Sequence, residues 1–82
     1  MKLDDWAAHH SLTDREIAER MTDWIRANED PDADPVSVPA VQKYRHGRAP
    51  KEPRMRAIYY VTGGWVSAND FYGLPQVGVV DG

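Results

Sequence analysis

No stretch of this chain restricts its fold more than Thr13-Asp14-Arg15-Glu16 and the apolar residues behind it, Ile17, Ala18, Met21, Trp24 and Ile25. A Thr followed three positions later by a Glu has the form of a capping box, in which the hydroxyl and the carboxylate each accept a backbone N–H that a helix start leaves unpaired. The apolar residues recur at i, i+1, i+4, i+7 and i+8, which lines one face of a helix. The pattern predicts a helix of about four turns that stops before Asn28-Glu29-Asp30-Pro31. A helix with one apolar face has to bury that face against other elements.

Short segments around it supply those elements. Leu3, Trp6, Ala7 and His10 have the i, i+3, i+4, i+7 spacing of a short first helix, broken at Ser11-Leu12. From Ser37 to Gly47 the chain reads as a capped helix, with Pro39 in the first turn, Gly47 just past the end, and Val41 and Tyr44 facing the core. Arg54 to Thr62 forms a fourth, with Met55, Ile58, Tyr59 and Thr62 inward and Gly63-Gly64 closing it, after which Trp65-Val66 covers the core. Ser67-Ala68-Asn69-Asp70 has the form of another capping box and opens a last turn through Phe71-Tyr72, stopped by Gly73 and Pro75. The expected architecture is all-α and five-helical, one domain over residues 1–73. The 74–82 tail, with Val77, Val79 and Val80 in partial alternation, is expected to be a short strand or disordered.

The 82 residues leave room for a single core, and the absence of cysteine excludes a disulfide framework, a thiolate metal site and a cysteine nucleophile. Trp6, Trp24, Trp65 and Tyr59 are assigned to the core rather than to a base-stacking platform. No apolar run approaches the roughly 18 residues of a membrane span, and Met1-Lys2-Leu3-Asp4-Asp5 is too polar for a signal peptide, so no membrane partner is expected and the expected location is the cytoplasm.

The net charge of −3 conceals two regions of opposite sign. Residues 1–34 hold four basic and ten acidic side chains, whereas residues 35–82 hold six basic and three acidic. All six of those cations, Lys43, Arg45, Arg48, Lys51, Arg54 and Arg56, fall between positions 43 and 56, where Glu52 is the only acid. Such a cluster attracts phosphate whatever the total charge. In Glu29-Asp30-Pro31-Asp32-Ala33-Asp34-Pro35, two prolines and four acids predict an exposed, partly extended loop. Asp30, Asp32 and Asp34 have calcium-loop spacing, but Pro35 stands where that loop needs Gly and Val41 where it needs Glu, so no metal is expected there. His9 and His10 fall on different sides of a helix, His46 is remote in sequence, and no carboxylate accompanies a convincing nucleophile. The sequence therefore predicts no metal site, no cofactor and no enzyme.

With Val41 and Tyr44 turned inward, the third helix directs Pro39, Gln42, Lys43 and His46 outward, flanked by Val38 and Arg45. Gln can pair with adenine, Lys can donate to guanine, and Val or Pro can touch a thymine methyl group. Arg48, Lys51, Arg54 and Arg56 follow the helix and would reach phosphates, which set register without reading sequence.

Three segments together resemble the Cro and phage-repressor type of helix-turn-helix regulator: Leu12 to Met21, Val36 to Arg48, and Ile58 to Phe71. The resemblance spans residues 3 to 72. It implies a λ-repressor-like five-helix fold, usually dimeric, that regulates transcription and is often a repressor. Two departures stand out. Fourteen residues separate Met21 from Val36, where the family has a tight turn, so an insertion at about residues 22–35 extends helix two and adds the acidic loop. Asp14 stands where the family commonly has a Gln that contacts phosphate, and Arg15 beside it is the substitute candidate. DNA would repel the acidic loop, which is therefore expected to point away from the duplex or to contact a second protomer or another protein.

The resulting expectation is a sequence-specific regulator that binds double-stranded DNA as a homodimer on an inverted repeat. Ser37, Val38, Pro39, Gln42, Lys43, Arg45, His46, Arg48, Lys51 and Arg15 form its contact set. The competing expectation is a protein-interaction module, such as an antitoxin or a regulatory partner, acting through the acidic insertion or the valine-rich tail.

Overall fold

The computed structural model describes residues 1–72, so the 74–82 tail lies outside the described residues. Five helices follow in order: α1 Leu3–His9, α2 Asp14–Asn28, α3 Val38–Arg45, α4 Arg54–Val61 and α5 Ala68–Tyr72. The fold is all-α, with no strand among the described residues, and no helix there is long and apolar enough to cross a membrane.

The capping box at α2 forms in both directions. Glu16 N–H donates to Thr13 Oγ1 at 3.1 Å, and Thr13 N–H donates to Glu16 Oε1 at 2.9 Å. That second bond holds the Glu16 carboxyl below its ordinary range. The helix then runs through the whole predicted stripe, burying Ile17, Ala18, Met21, Thr22 and Ile25. It packs against α4 and α3, and α3 also meets α1. Leu3, Trp6, Ala7, Val36, Val41, Tyr44, Ala57, Ile58 and Val66 complete the buried set.

Two buried threonines tie the helices together. Thr22 Oγ1 donates to Ala18 O at 2.8 Å and accepts from Val36 N–H at 2.9 Å. Residues 22 and 36 are thus in direct contact, and residues 23–35 form an excursion that leaves α2 and returns to its side. Thr62 repeats the arrangement, donating to Ile58 O at 2.8 Å and accepting from Val66 N–H at 3.1 Å. In both cases the hydroxyl satisfies the N–H of a buried Val entering the next segment.

The excursion is fastened along its length. Trp24 is half-buried and stacks on Tyr60, with ring centroids 5.1 Å apart and planes within 10°. Arg26 Nε donates to Ala33 O at 3.0 Å, and Asp32 N–H donates to Asp30 Oδ1 at 2.9 Å. At its far end Ser37 Oγ caps α3 by accepting from Ala40 N–H at 3.2 Å. Gly47, at φ +106°, ends α3 in a conformation that side-chain-bearing residues rarely adopt.

Five residues expected in the core lie outside it or at its edge, the half-buried Trp24 among them. His10 is exposed, and its ring lies 4.6 Å from that of the buried Trp6. On α4 the inward face centres on Ala57, Ile58 and Thr62, which leaves Met55 half-buried. Tyr59, one step of about 100° around the helix from Ile58, is 45% exposed and lays its ring 3.5 Å from where a Cβ on Gly64 would sit. Trp65, which follows the left-handed turn at Gly63 and Gly64, is 66% exposed, and it is the next residue, Val66, that is buried. Only half of the Ser67 box forms: Asp70 Oδ2 accepts from Ser67 N–H at 2.8 Å, while Asp70 N–H bonds to Ser67 O rather than to the hydroxyl.

Thr22→Val keeps the shape of the side chain but leaves the Val36 N–H buried without an acceptor. Urea denaturation should show a loss of about 1–3 kcal/mol, with Thr22→Ser losing much less. Equal stability of the Val variant would remove this bond from the account of how α3 is placed.

Candidate nucleic-acid interface

The polar face of α3 follows from its two buried residues. With Val41 and Tyr44 in the core, Pro39, Gln42, Lys43 and His46 are exposed and Val38 is half-buried at the edge. Ser37 is exposed, but its hydroxyl is occupied as the helix cap. Arg15 is exposed on α2, and with Val38 it lines a separate hollow between α2 and the returning segment, beside Glu19 and Asp23.

The six cations of residues 43–56 do not act as one patch. Arg45 turns back under the domain. Its Nε donates to Asp4 Oδ1 at 2.8 Å and its Nη1 to Asp14 Oδ1 at 2.7 Å. The Asp14 hydrogen bond is the main reason the guanidinium holds its proton more tightly than usual. Arg45 is therefore removed from the contact set, because its guanidinium is turned to two carboxylates that already offset its charge. Asp14 is Arg45's partner in the fold.

Arg56, expected at a phosphate, is corrected in the same way. It makes two hydrogen bonds to Glu29, at 2.7 and 2.9 Å, and also pairs with Glu52. The bonds to Glu29 and then to Glu52 push its pKa upward, and those to Arg56 hold Glu29 below the ordinary carboxylate range. The root of the acidic loop is thus bound to the edge of the basic segment rather than remote from it. Asp30, Asp32 and Asp34 remain exposed.

The other four cations converge. Lys43 from α3, Arg48 and Lys51 from the loop, and Arg54 from the start of α4 line one open groove of about 470 Å³, floored in part by Tyr44 and Pro50. None of the four enters an ion pair among the described residues. Arg54 is oriented by a hydrogen bond from its Nη1 to the Tyr44 hydroxyl at 3.0 Å. Glu52 stands on the rim, with its carboxylate turned to Arg56.

The site thus consists of an exposed helix face carrying amide, ammonium and imidazole groups, beside a groove of uncompensated positive charge. That chemistry suits a polyanion with readable edges. Sequence reasoning missed the part played by Tyr44, which was assigned to the core alone, and nothing local signals its bond to Arg54. The Glu52–Arg56 pair was missed as well, because Glu52 lies in the turn before α4 and was assigned to a loop. No protein-family model, curated protein or solved structure matches this chain.

Two outcomes check the charge assignments. Arg45→Ala should lower stability by about 1 kcal/mol in chemical denaturation, whereas Lys43→Ala should leave it unchanged. The reverse order would return Arg45 to the exposed set. For Glu29, the folded carboxyl titrates lower than the unfolded one, so its stabilisation is complete above the ordinary carboxylate range and disappears as pH falls through the folded value. The difference in Tm between wild type and Glu29→Gln should accordingly be largest near neutral pH and vanish in strong acid. A difference constant with pH would mean that the Arg56 clamp does not depend on Glu29's charge.

Proposed function

We propose that this protein is a sequence-specific DNA-binding regulator of the Cro and phage-repressor type, acting as a homodimer. The observation that carries the reading is the division of the basic cluster. The two arginines facing the fold are neutralised by carboxylates, while the four cations beside the exposed face of α3 are left unpaired around one groove. Uncompensated cations repel one another, and a phosphate backbone relieves that repulsion by displacing its counterions.

On this reading α3 enters the major groove. Gln42 and Lys43 meet base edges, Val38 and Pro39 approach thymine methyl groups, and His46 lies at the far end of the helix. Arg48, Lys51 and Arg54 hold the backbone that borders the groove, and Arg15 serves the start of α2. The Thr22–Val36 contact supports the helix-turn-helix reading. It brings together the positions that a tight turn would join, so that the excursion between them adds to the motif without displacing α3. Two copies would place their α3 helices in successive major grooves, about 34 Å apart, on an inverted repeat and would repress by occupancy. No cofactor and no catalytic residue is assigned, and the proposed location is the cytoplasm, on the nucleoid.

The interaction-module reading draws support from a different surface. Tyr59, Tyr60 and Trp65 are 45%, 59% and 66% exposed, and aromatic residues of this kind anchor protein interfaces. The two readings respond to salt in opposite ways, since phosphate contacts weaken steeply as salt rises and an apolar interface does not.

Selection of bound sequences from a random duplex pool at moderate salt should enrich an inverted repeat. Lys43→Ala should then cost about 1–3 kcal/mol on that repeat and relax base preference. Arg48→Ala should weaken all duplexes alike and flatten the log–log salt slope by about 0.9. Absence of enrichment at any salt would overturn the DNA reading in favour of the interaction module.

A further inference from the structure

Tyr44 belongs to the core face of α3 and is only 7% exposed, yet it also forms part of the wall of the cationic groove. Its hydroxyl accepts from Arg54 Nη1 at 3.0 Å. Arg54, unlike Arg45 and Arg56, has no carboxylate partner among the described residues. A phenol oxygen is a neutral acceptor, so it orients the guanidinium without cancelling its charge. The remaining N–H groups of that guanidinium are available to an anion, and the hydroxyl retains a hydrogen of its own to donate. Lys43, Arg48 and Lys51 line the same groove, and the acid on the rim is held aside by Arg56.

We infer that Tyr44 is a positioning residue: its hydroxyl fixes Arg54 so that, with Arg48 and Lys51, it forms a preformed seat for one phosphate group. The inference rests on the DNA reading for the source of that phosphate, a phosphodiester of the duplex backbone. The physical advantage is preorganisation. An arginine free in solvent loses rotamer freedom when it grips a phosphate, and one already held loses less. The planar fork of Arg54 matches two phosphate oxygens, whereas Lys51 supplies charge without fixed geometry.

The test uses the full chain, with duplex affinity measured over a range of salt and the arginine Nε–H signals followed by NMR during titration with inorganic pyrophosphate. Tyr44→Phe should weaken every duplex alike by about three- to tenfold with little change in salt slope, since Arg54 remains. Arg54→Ala should reduce the slope by about 0.9, and in that background Tyr44→Phe should have no further effect. Pyrophosphate should shift the Arg54 signal in the wild type and shift it less in Tyr44→Phe.

A purely structural Tyr44 would lower Tm and weaken binding equally with and without Arg54, and that result overturns the inference. So does a silent Tyr44→Phe on duplexes that bind well, which leaves the DNA reading intact. If no duplex binds at any salt while pyrophosphate still shifts Arg54 in a Tyr44-dependent way, the seat stands and the DNA reading fails.

Discussion

The position of α3, and of everything on it, depends on one hydroxyl. Thr22 sits in the buried face of α2, donates to the carbonyl a turn behind it, and accepts the N–H of Val36. A buried N–H without a partner is costly, so this bond fixes where the returning chain can enter. Val36 then fills the core, Ser37 caps α3, and Val41 and Tyr44 set its rotation. The excursion can be long because its ends are held at Thr22 and Val36 while Trp24, Arg26 and Glu29 fasten its length. Thr62 and Val66 apply the same device after α4.

Charge is distributed by the same packing. Six cations close in sequence might be expected to form one field, but a guanidinium near a carboxylate is taken up by it at short range, where Coulomb attraction is strongest. Arg45 reaches Asp4 and Asp14 because the end of α3 lies against α1 and the start of α2. Arg56 reaches Glu29 because α4 lies along the far end of α2. The cations left over share a groove in which Glu52, the one acid lining it among the described residues, is paired with Arg56. The carboxylates that meet Arg45 and Arg56 neutralise those two cations and leave the groove beside α3 positive, so a net charge of −3 coexists with a local cationic patch.

Much of this was legible along the chain. The capping box at Thr13, the stripe from Ile17 to Ile25, the Ser37 cap and the Gly47 stop are local signals, since each depends on groups within about one helical turn. The outward set Pro39, Gln42, Lys43 and His46 followed from the periodicity of a single helix. The failures were of another kind. Tyr59 was placed inward on an apolar helical face and Trp65 beside a Gly turn, but a core this small accepts one of two neighbours, and Ile58 and Val66 took the places. Arg45 was placed on the flank of the outward face, and the partners that draw it away, Asp4 and Asp14, are 41 and 31 residues distant.

The amino-acid sequence alone determined the five helices, the caps of α2 and α3, and which residues of α3 face away from its core, because these depend on backbone hydrogen bonds and side-chain periodicity within one segment. Only the tertiary structure decided which cations are free and that Tyr44 holds Arg54. Those outcomes depend on which side chains meet across helices, and no local rule specifies the distance between residues on separate helices.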